Sequence, residues 1–154
     1  MKVQGEYSLP LPQPAAWDLL LNTEVLSRAI PGCESLAPAA PDEYEMKMKI
    51  AVSSIQGLFA GKVRISEKTP PASYRLEIQG QGKLGHVRGN GVLQLAPDGN
   101  GTKVSFAGDV QVGGLLASVG ERMLDMTTKM MIKKFFNALV AQAQKLADSR
   151  PAGA

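Results

Sequence analysis

Acid–base or nucleophilic chemistry needs a titratable side chain aimed at a reacting atom, and this sequence offers few. His86 is its single histidine and Cys33 its single cysteine. His86 follows Gly85 in what reads as a turn. Cys33 lies in Ile30-Pro31-Gly32-Cys33-Glu34, where Pro-Gly signals a turn and no adjacent histidine or cation is present to lower a thiol pKa. It reads as a small apolar residue at the rim of whatever the strands enclose. Glu77 and Asp109 fall on the wet faces of their strands by parity. Tyr7, Tyr44 and Tyr74 are the polar groups that alternation places among apolar neighbours. One cysteine and one histidine leave a zinc or histidine-rich metal site without ligands, and an intrachain disulfide without a partner.

The residues that do recur are soft ones. Met46 and Met48 share one face of a strand pattern, and Met123, Met126, Met130 and Met131 fall in the last long helix. The unbranched thioether adapts to irregular apolar space. Gly80 and Gly82 share one strand face and Gly89 and Gly91 the next, and a turn at Gly85-His86 sets Gly80 opposite Gly91 and Gly82 opposite Gly89. Glycine inside a strand marks either a strong bend or the close approach of something else. Gly57, Gly61 and Gly108 add to both readings. Soft walls facing bare backbone suggest an adaptable apolar cavity, which favours binding over catalysis.

The elements that must position these residues follow from periodicity. Lys2 to Leu9 alternates as a half-buried strand. Pro10, Pro12 and Pro14 stop it, and Pro14 starts a helix carrying Ala15, Ala16, Trp17, Leu19, Leu20 and Leu21. Thr23 reads as the N-cap of a second short helix, Glu24 to Ala29, ended by Pro31-Gly32. From Glu34 to Val112 the pattern has period two, broken by glycine, proline and Asp98-Gly99 turns, which predicts an antiparallel meander. Tyr44, Met46, Met48, Ile50 and Val52 share one face, as do Phe59, Val63 and Ile65, then Tyr74, Leu76 and Ile78, then Leu93 and Leu95, then Val104, Phe106, Val110 and Val112. The inward positions carry no Asp, Glu, Lys, Arg or His. Gly114 to Asp148 then reads as one helix of roughly 50 Å. Its apolar row is Val119, Met123, Thr127, Met131, Phe135 and Leu139, widened by Leu116, Met126, Met130, Ala138 and Leu146. The expected architecture is α+β: a curved antiparallel sheet of six to seven strands wrapped round this helix, with two short helices after the first strand.

The 154 residues suit one domain over residues 1–149, followed by a short tail at 150–154. The net charge of +3 comes from scattered rather than blocked residues, which argues against nucleic acid. Met1-Lys2 runs into strand sequence instead of a signal peptide, and no window is long and apolar enough to span a bilayer. The expected location is cytoplasmic, with at most peripheral membrane contact.

Particular stretches carry a family resemblance. Glu24-Val25-Leu26, Ile30 to Glu34, Ile55 to Val63, Pro70-Pro71 with Tyr74, Gly80 with Gly82, Val112 to Ala117, and Phe135-Phe136 together resemble CoxG, the family of the G subunit of carbon monoxide dehydrogenase. This family lies within the helix-grip superfamily of START and polyketide-cyclase-like (SRPBCC) domains. The resemblance implies a non-catalytic accessory protein of molybdenum-dependent hydroxylases, partnered with their subunits and linked to the inner face of the cytoplasmic membrane. It implies no tightly bound cofactor, with a lipid or quinone as cargo. Family members often continue into a C-terminal anchor; here Arg122, Lys129, Lys133 and Lys134 are the candidates for contact with anionic lipid. The expected ligand-binding residues are Met46, Met48, Ile50, Phe59, Val63, Leu76, Ile78, Gly80, Leu93, Phe106, Val110, Met123, Met126 and Met130. Two alternatives stay open: a cyclase or dehydratase working in the same cavity through its tyrosines, and a structural interaction subunit with a filled core.

Overall fold

Period-two alternation becomes seven antiparallel strands. They are β1 (Lys2–Leu9), β2 (Cys33–Ala40), β3 (Glu43–Val52), β4 (Ile55–Thr69), β5 (Ser73–Gly82), β6 (Gly85–Asp98) and β7 (Gly101–Gly113). Helices α1 (Gln13–Leu20) and α2 (Thr23–Ala29) follow β1, and α3 (Glu121–Ser149) closes the fold. These elements come from a computed structural model that describes residues 1–149; the expected tail at 150–154 lies outside the described residues. The sheet runs β1-β7-β6-β5-β4-β3-β2, so the first strand returns to pair with the last, from Lys2 opposite Asp109 to Leu9 opposite Thr102. Five hairpins and one return connection thus build a single open sheet with α3 on its apolar face.

Three local expectations are corrected. The final helix does not begin at Gly114. Gly114 (φ 74°) opens a 3-10 turn, Gly114–Val119, and Gly120 (φ 96°) breaks it, so α3 starts at Glu121 and is about 43 Å long by helical rise. Both dihedrals lie in the region that L side chains avoid. The cap of α2 is Asn22, not Thr23: its Oδ1 accepts from the backbone N–H of Glu24 at 3.0 Å and of Val25 at 3.2 Å. Finally, β5 and β6 reverse at Lys83-Leu84, not at Gly85-His86, because Gly85 takes φ 133° and pairs with Gly82. Gly80 therefore faces Val87, while Gly89 and Gly91 face Ile78 and Leu76. The glycines instead meet across other seams, Gly61 opposite Gly80 and Gly91 opposite Gly108.

The interior is divided. The larger cluster joins α1, α2 and the C-terminal half of α3 to one end of the sheet, through Trp17, Leu20, Tyr74, Leu95, Val104, Phe136, Leu139 and Ala143. Gln13 ties α1 down by donating to the carbonyls of Pro71 and Leu95, and the buried Thr102 hydroxyl donates to Leu11. A smaller cluster of Val52, Phe59 and Leu116 fills the other end beneath the 3-10 turn.

Candidate functional site

Between the two clusters lies a cavity of about 400 Å³, within the range of about 300–1,000 Å³ that small-molecule pockets usually occupy. Strand alternation supplies its floor. One cross-strand row runs Tyr44, Val63, Ile78, Gly89, Val110, and the next runs Met46, Gly61, Gly80, Val87, Val112. Leu20, Leu26, Ile30 and Pro31 from α1, α2 and the turn after them close one side, and Leu124, Thr127, Thr128, Met131, Ile132 and Phe135 of α3 form the roof.

Eleven of the fourteen expected ligand-binding residues line this space: Met46, Met48, Ile50, Phe59, Val63, Leu76, Ile78, Gly80, Leu93, Phe106 and Val110. Met123, Met126 and Met130 do not. They lie on the outer side of α3, with Met126 60% and Met130 48% exposed. The buried stripe of α3 is set by Phe136, Leu139 and Ala143. That phase turns Leu124, Thr128 and Ile132 inward and the methionine trio outward. Met131 is the methionine that the roof does contribute.

The glycines divide into two kinds. A side chain at Gly61 would run into the backbone oxygen of Gln79, and one at Gly108 into that of Asn90, so these positions allow the sheet to bend sharply. A Cβ on Gly80 would meet nothing closer than 3.9 Å, and one on Gly89 nothing closer than 3.7 Å. Those two are open floor. Curvature and floor space, weighed as alternatives from the sequence, are both present at different residues.

Aromatic rings make one wall of the larger cluster. Tyr7 stacks on Phe136 at 4.2 Å between centroids, and Phe106 lies 5.4 Å from Phe136. Polar groups at the cavity are few. Asp109, Asn90 and Gln79 border it beside the side-chain-free Gly108, Gly89, Gly91 and Gly80, while they themselves are exposed and alternate onto the outer face. The hydroxyls among the lining residues are those of Thr23, Tyr44, Tyr74, Thr127 and Thr128. Tyr74 is packed edge-on against Trp17 at 5.5 Å and donates to the Leu20 carbonyl at 3.5 Å. Burial, with a smaller contribution from nearby Tyr44, pushes its pKa well above the ordinary tyrosine value, so it stays neutral. Partial burial also pushes the Cys33 thiol up, away from the thiolate that a nucleophile needs. Thr128 and Leu124 lie on the four-residue row that runs back from Phe136 through Ile132, the signal that would have found them.

Among the described residues no group of three or more His, Cys, Asp or Glu side chains gathers to hold a metal, and no helix is long and apolar enough to cross a membrane. The arrangement can enclose an apolar molecule and offer it one or two hydroxyls.

Known proteins share this geometry. A conserved protein from Geobacillus kaustophilus is 28% identical over 94% of this chain and 96% of its own, with a TM-score of 0.89. A Thermus thermophilus protein (15% identity, 97% and 100% covered, TM-score 0.70) and an aromatase/cyclase from a Streptomyces species (14%, 99% and 98%, TM-score 0.70) share the fold. Among curated proteins none matches the sequence. The model of the CoxG family, described as the G subunit of carbon monoxide dehydrogenase, matches residues 5–144, nearly the whole of the described fold. The helix-grip architecture and that match agree, and the chain belongs to the CoxG family.

Proposed function

We propose that this protein is a non-catalytic carrier that holds a lipid or quinone in its cavity and serves a molybdenum-dependent hydroxylase of the carbon monoxide dehydrogenase kind, linking that enzyme to the membrane. The observation that carries the reading is a roughly 400 Å³ space walled by methionine, aliphatic and glycine residues. Its shape suits a flexible apolar guest. Tyr44 fits the reading as a polar handle: it lines the cavity, and among the described residues its hydroxyl has no hydrogen-bond partner, so it is available to a guest carbonyl. Family membership supports the partner class. Exposed Met123, Met126 and Met130 beside Arg122, Lys133 and Lys134 support the membrane link.

The cyclase alternative draws on the aromatase/cyclase neighbour, which shares the fold at 14% identity. It lacks a poised acid or base among the described residues, since Tyr74 is held neutral and Asp109, the one charged residue bordering the space, is exposed on the outer face.

Native mass spectrometry after incubation with inner-membrane lipid extract tests the proposal. The expected result is a stoichiometric adduct, released on denaturation as an unaltered quinone or lipid and abolished by Gly80→Phe, which fills the floor. Met126→Phe, on the outer side of α3, should leave loading intact. A clean apo mass under conditions that load another lipid carrier would refute the carrier reading, and a chemically altered guest would favour the enzyme.

A further inference from the structure

The back of the sheet, opposite the cavity, is not a plain solvated surface. A second concavity lies there, an open groove of about 920 Å³ along the seam where Gly61 stands opposite Gly80. Its residues come from two cross-strand rows. One runs Glu45, Lys62, Gln79, Arg88, Gln111, and the other runs Lys47, Ala60, Gln81, His86. Lys47 and Lys62 stand on one bank, His86 and Arg88 on the other, with Ala60 and the two glutamines of β5 as the bed. Three strand spacings, about 14 Å, separate Lys47 from the far bank, and two, about 10 Å, separate Lys62 from Arg88.

Positive charge is in excess round the groove, whose two rows carry Lys47, Lys62 and Arg88 against Glu45 alone. Arg64, Lys68, Arg75 and Lys103 each meet an acidic side chain within 4.0 Å. Lys47, Lys62 and Arg88 meet none among the described residues, although Glu45 stands in the row of Lys62. The next row is Lys49 opposite Leu58, and Leu58 is 65% exposed, the most exposed large apolar side chain described. Several cations with no carboxylate against them, beside an exposed leucine, complement an acidic segment that carries an apolar side chain.

We propose that this groove docks an acidic segment of a partner protein, with Leu58 as the apolar anchor at its edge. The dimensions and chemistry select that occupant. Cations spread over about 14 Å suit several carboxylates along a chain better than one phosphate. Glutamines can both donate to and accept from an extended backbone. No Phe, Tyr or Trp stands on these outward rows to stack a base, and His86 is their one ring, which disfavours nucleic acid. The surface lies on the far side of the sheet from the cavity, so a failure of guest binding would leave it standing, and its own failure would leave the carrier reading untouched.

The test uses a short synthetic peptide rich in glutamate with one central leucine, titrated into isotope-labelled protein and followed by backbone amide shifts. Shifts are expected at Ala60, Gln81 and Arg88, fading as salt is raised. The variant K47Q/K62Q/R88Q should weaken binding by more than about tenfold. The charge-matched variant R122Q/K133Q/K134Q, on the outer side of α3, should bind as the parent does. Equal weakening by both variants, equal binding of a glutamine-for-glutamate peptide, or shifts that avoid the groove would overturn the proposal. So would groove shifts produced by anionic phosphatidylglycerol vesicles and not by the peptide.

Discussion

Tyr44 and Tyr74 carry the same phenol into opposite circumstances. Tyr74 is 4% exposed, wedged against Trp17 and bonded to the Leu20 carbonyl, whereas Tyr44 keeps its hydroxyl at the cavity. Burial raises the Tyr74 pKa, and the sign of its effect on stability follows. Below about pH 10 the hydroxyl is protonated in both folded and unfolded chains and pH changes nothing. Above that, the unfolded chain releases a proton that the folded chain retains, so stability falls by about 1.4 kcal/mol per pH unit until the raised folded pKa is reached. Urea unfolding through the alkaline range should show a shallower decline for Tyr74→Phe than for the parent; identical slopes would mean that this tyrosine ionises as freely folded as unfolded. Cys33 leads to a similar expectation, since its raised pKa should make alkylation by iodoacetamide near neutral pH slower than that of a free thiol. At this scale the strands were legible: alternation alone placed Met46, Val63, Ile78 and Val110 at the cavity. The helix was not, because two adjacent four-residue rows, one running back from Phe135 through Met131 and Thr127 and the other from Phe136 through Ile132 and Thr128, both read as apolar and alternation does not choose between them.

At the level of elements, glycine decides the shape. The strands and their order follow from turn signals and parity, but the pairing of β5 with β6 was four positions away from the expected register, because Lys83-Leu84 forms the turn and Gly85 takes a dihedral open to glycine. Register depends on which residues of a glycine-rich stretch form the turn, and Gly80 to Gly91 offers several choices of comparable cost. The geometry separates glycines that bend the sheet from glycines that open it. Gly61→Ala forces a methyl group against the Gln79 carbonyl of the neighbouring strand and should destabilise the fold by about 1–3 kcal/mol. Gly89→Ala places the same group in ordinary contact and removes backbone freedom from the unfolded chain, so it should be neutral or stabilising by up to about 1 kcal/mol. Chemical denaturation of the pair checks both. Equal losses would mean that the two positions share one role, and a stable Gly61→Ala would show that the bend does not need a bare Cα.

Taken whole, the molecule has two charged surfaces on opposite sides of its cavity: the sheet back with Lys47, Lys62 and Arg88, and the outer side of α3 with Arg122, Lys133 and Lys134 beside the exposed methionines. Helical spacing puts Met123, Met126 and Met130 on one stripe with Lys133 and Lys134 continuing it, while Lys129 is engaged at 2.9 Å with Asp125. Long basic side chains that can snorkel around an apolar strip suit the interface of an anionic bilayer. The same helical turns present Leu124, Thr128 and Met131 to the cavity, so a bilayer held on the outer side would lie one helix diameter, about 10 Å, from the guest. The proposed carrier, meeting lipid on one side and an acidic partner segment on the other, would need the two surfaces to work separately. Each cation near an anionic membrane contributes about 1 kcal/mol, so R122Q/K133Q/K134Q should lose about a hundredfold in affinity for phosphatidylglycerol-containing vesicles, measured by flotation. K47Q/K62Q/R88Q should float as the parent does. Met126→Ser with Met130→Ser should weaken binding even at high salt, where screening removes the charge contribution and leaves the apolar one. If the two charge variants instead lose vesicle affinity equally, the net charge of +3 rather than the helix surface draws the protein to lipid, and the division of labour between the two sides falls.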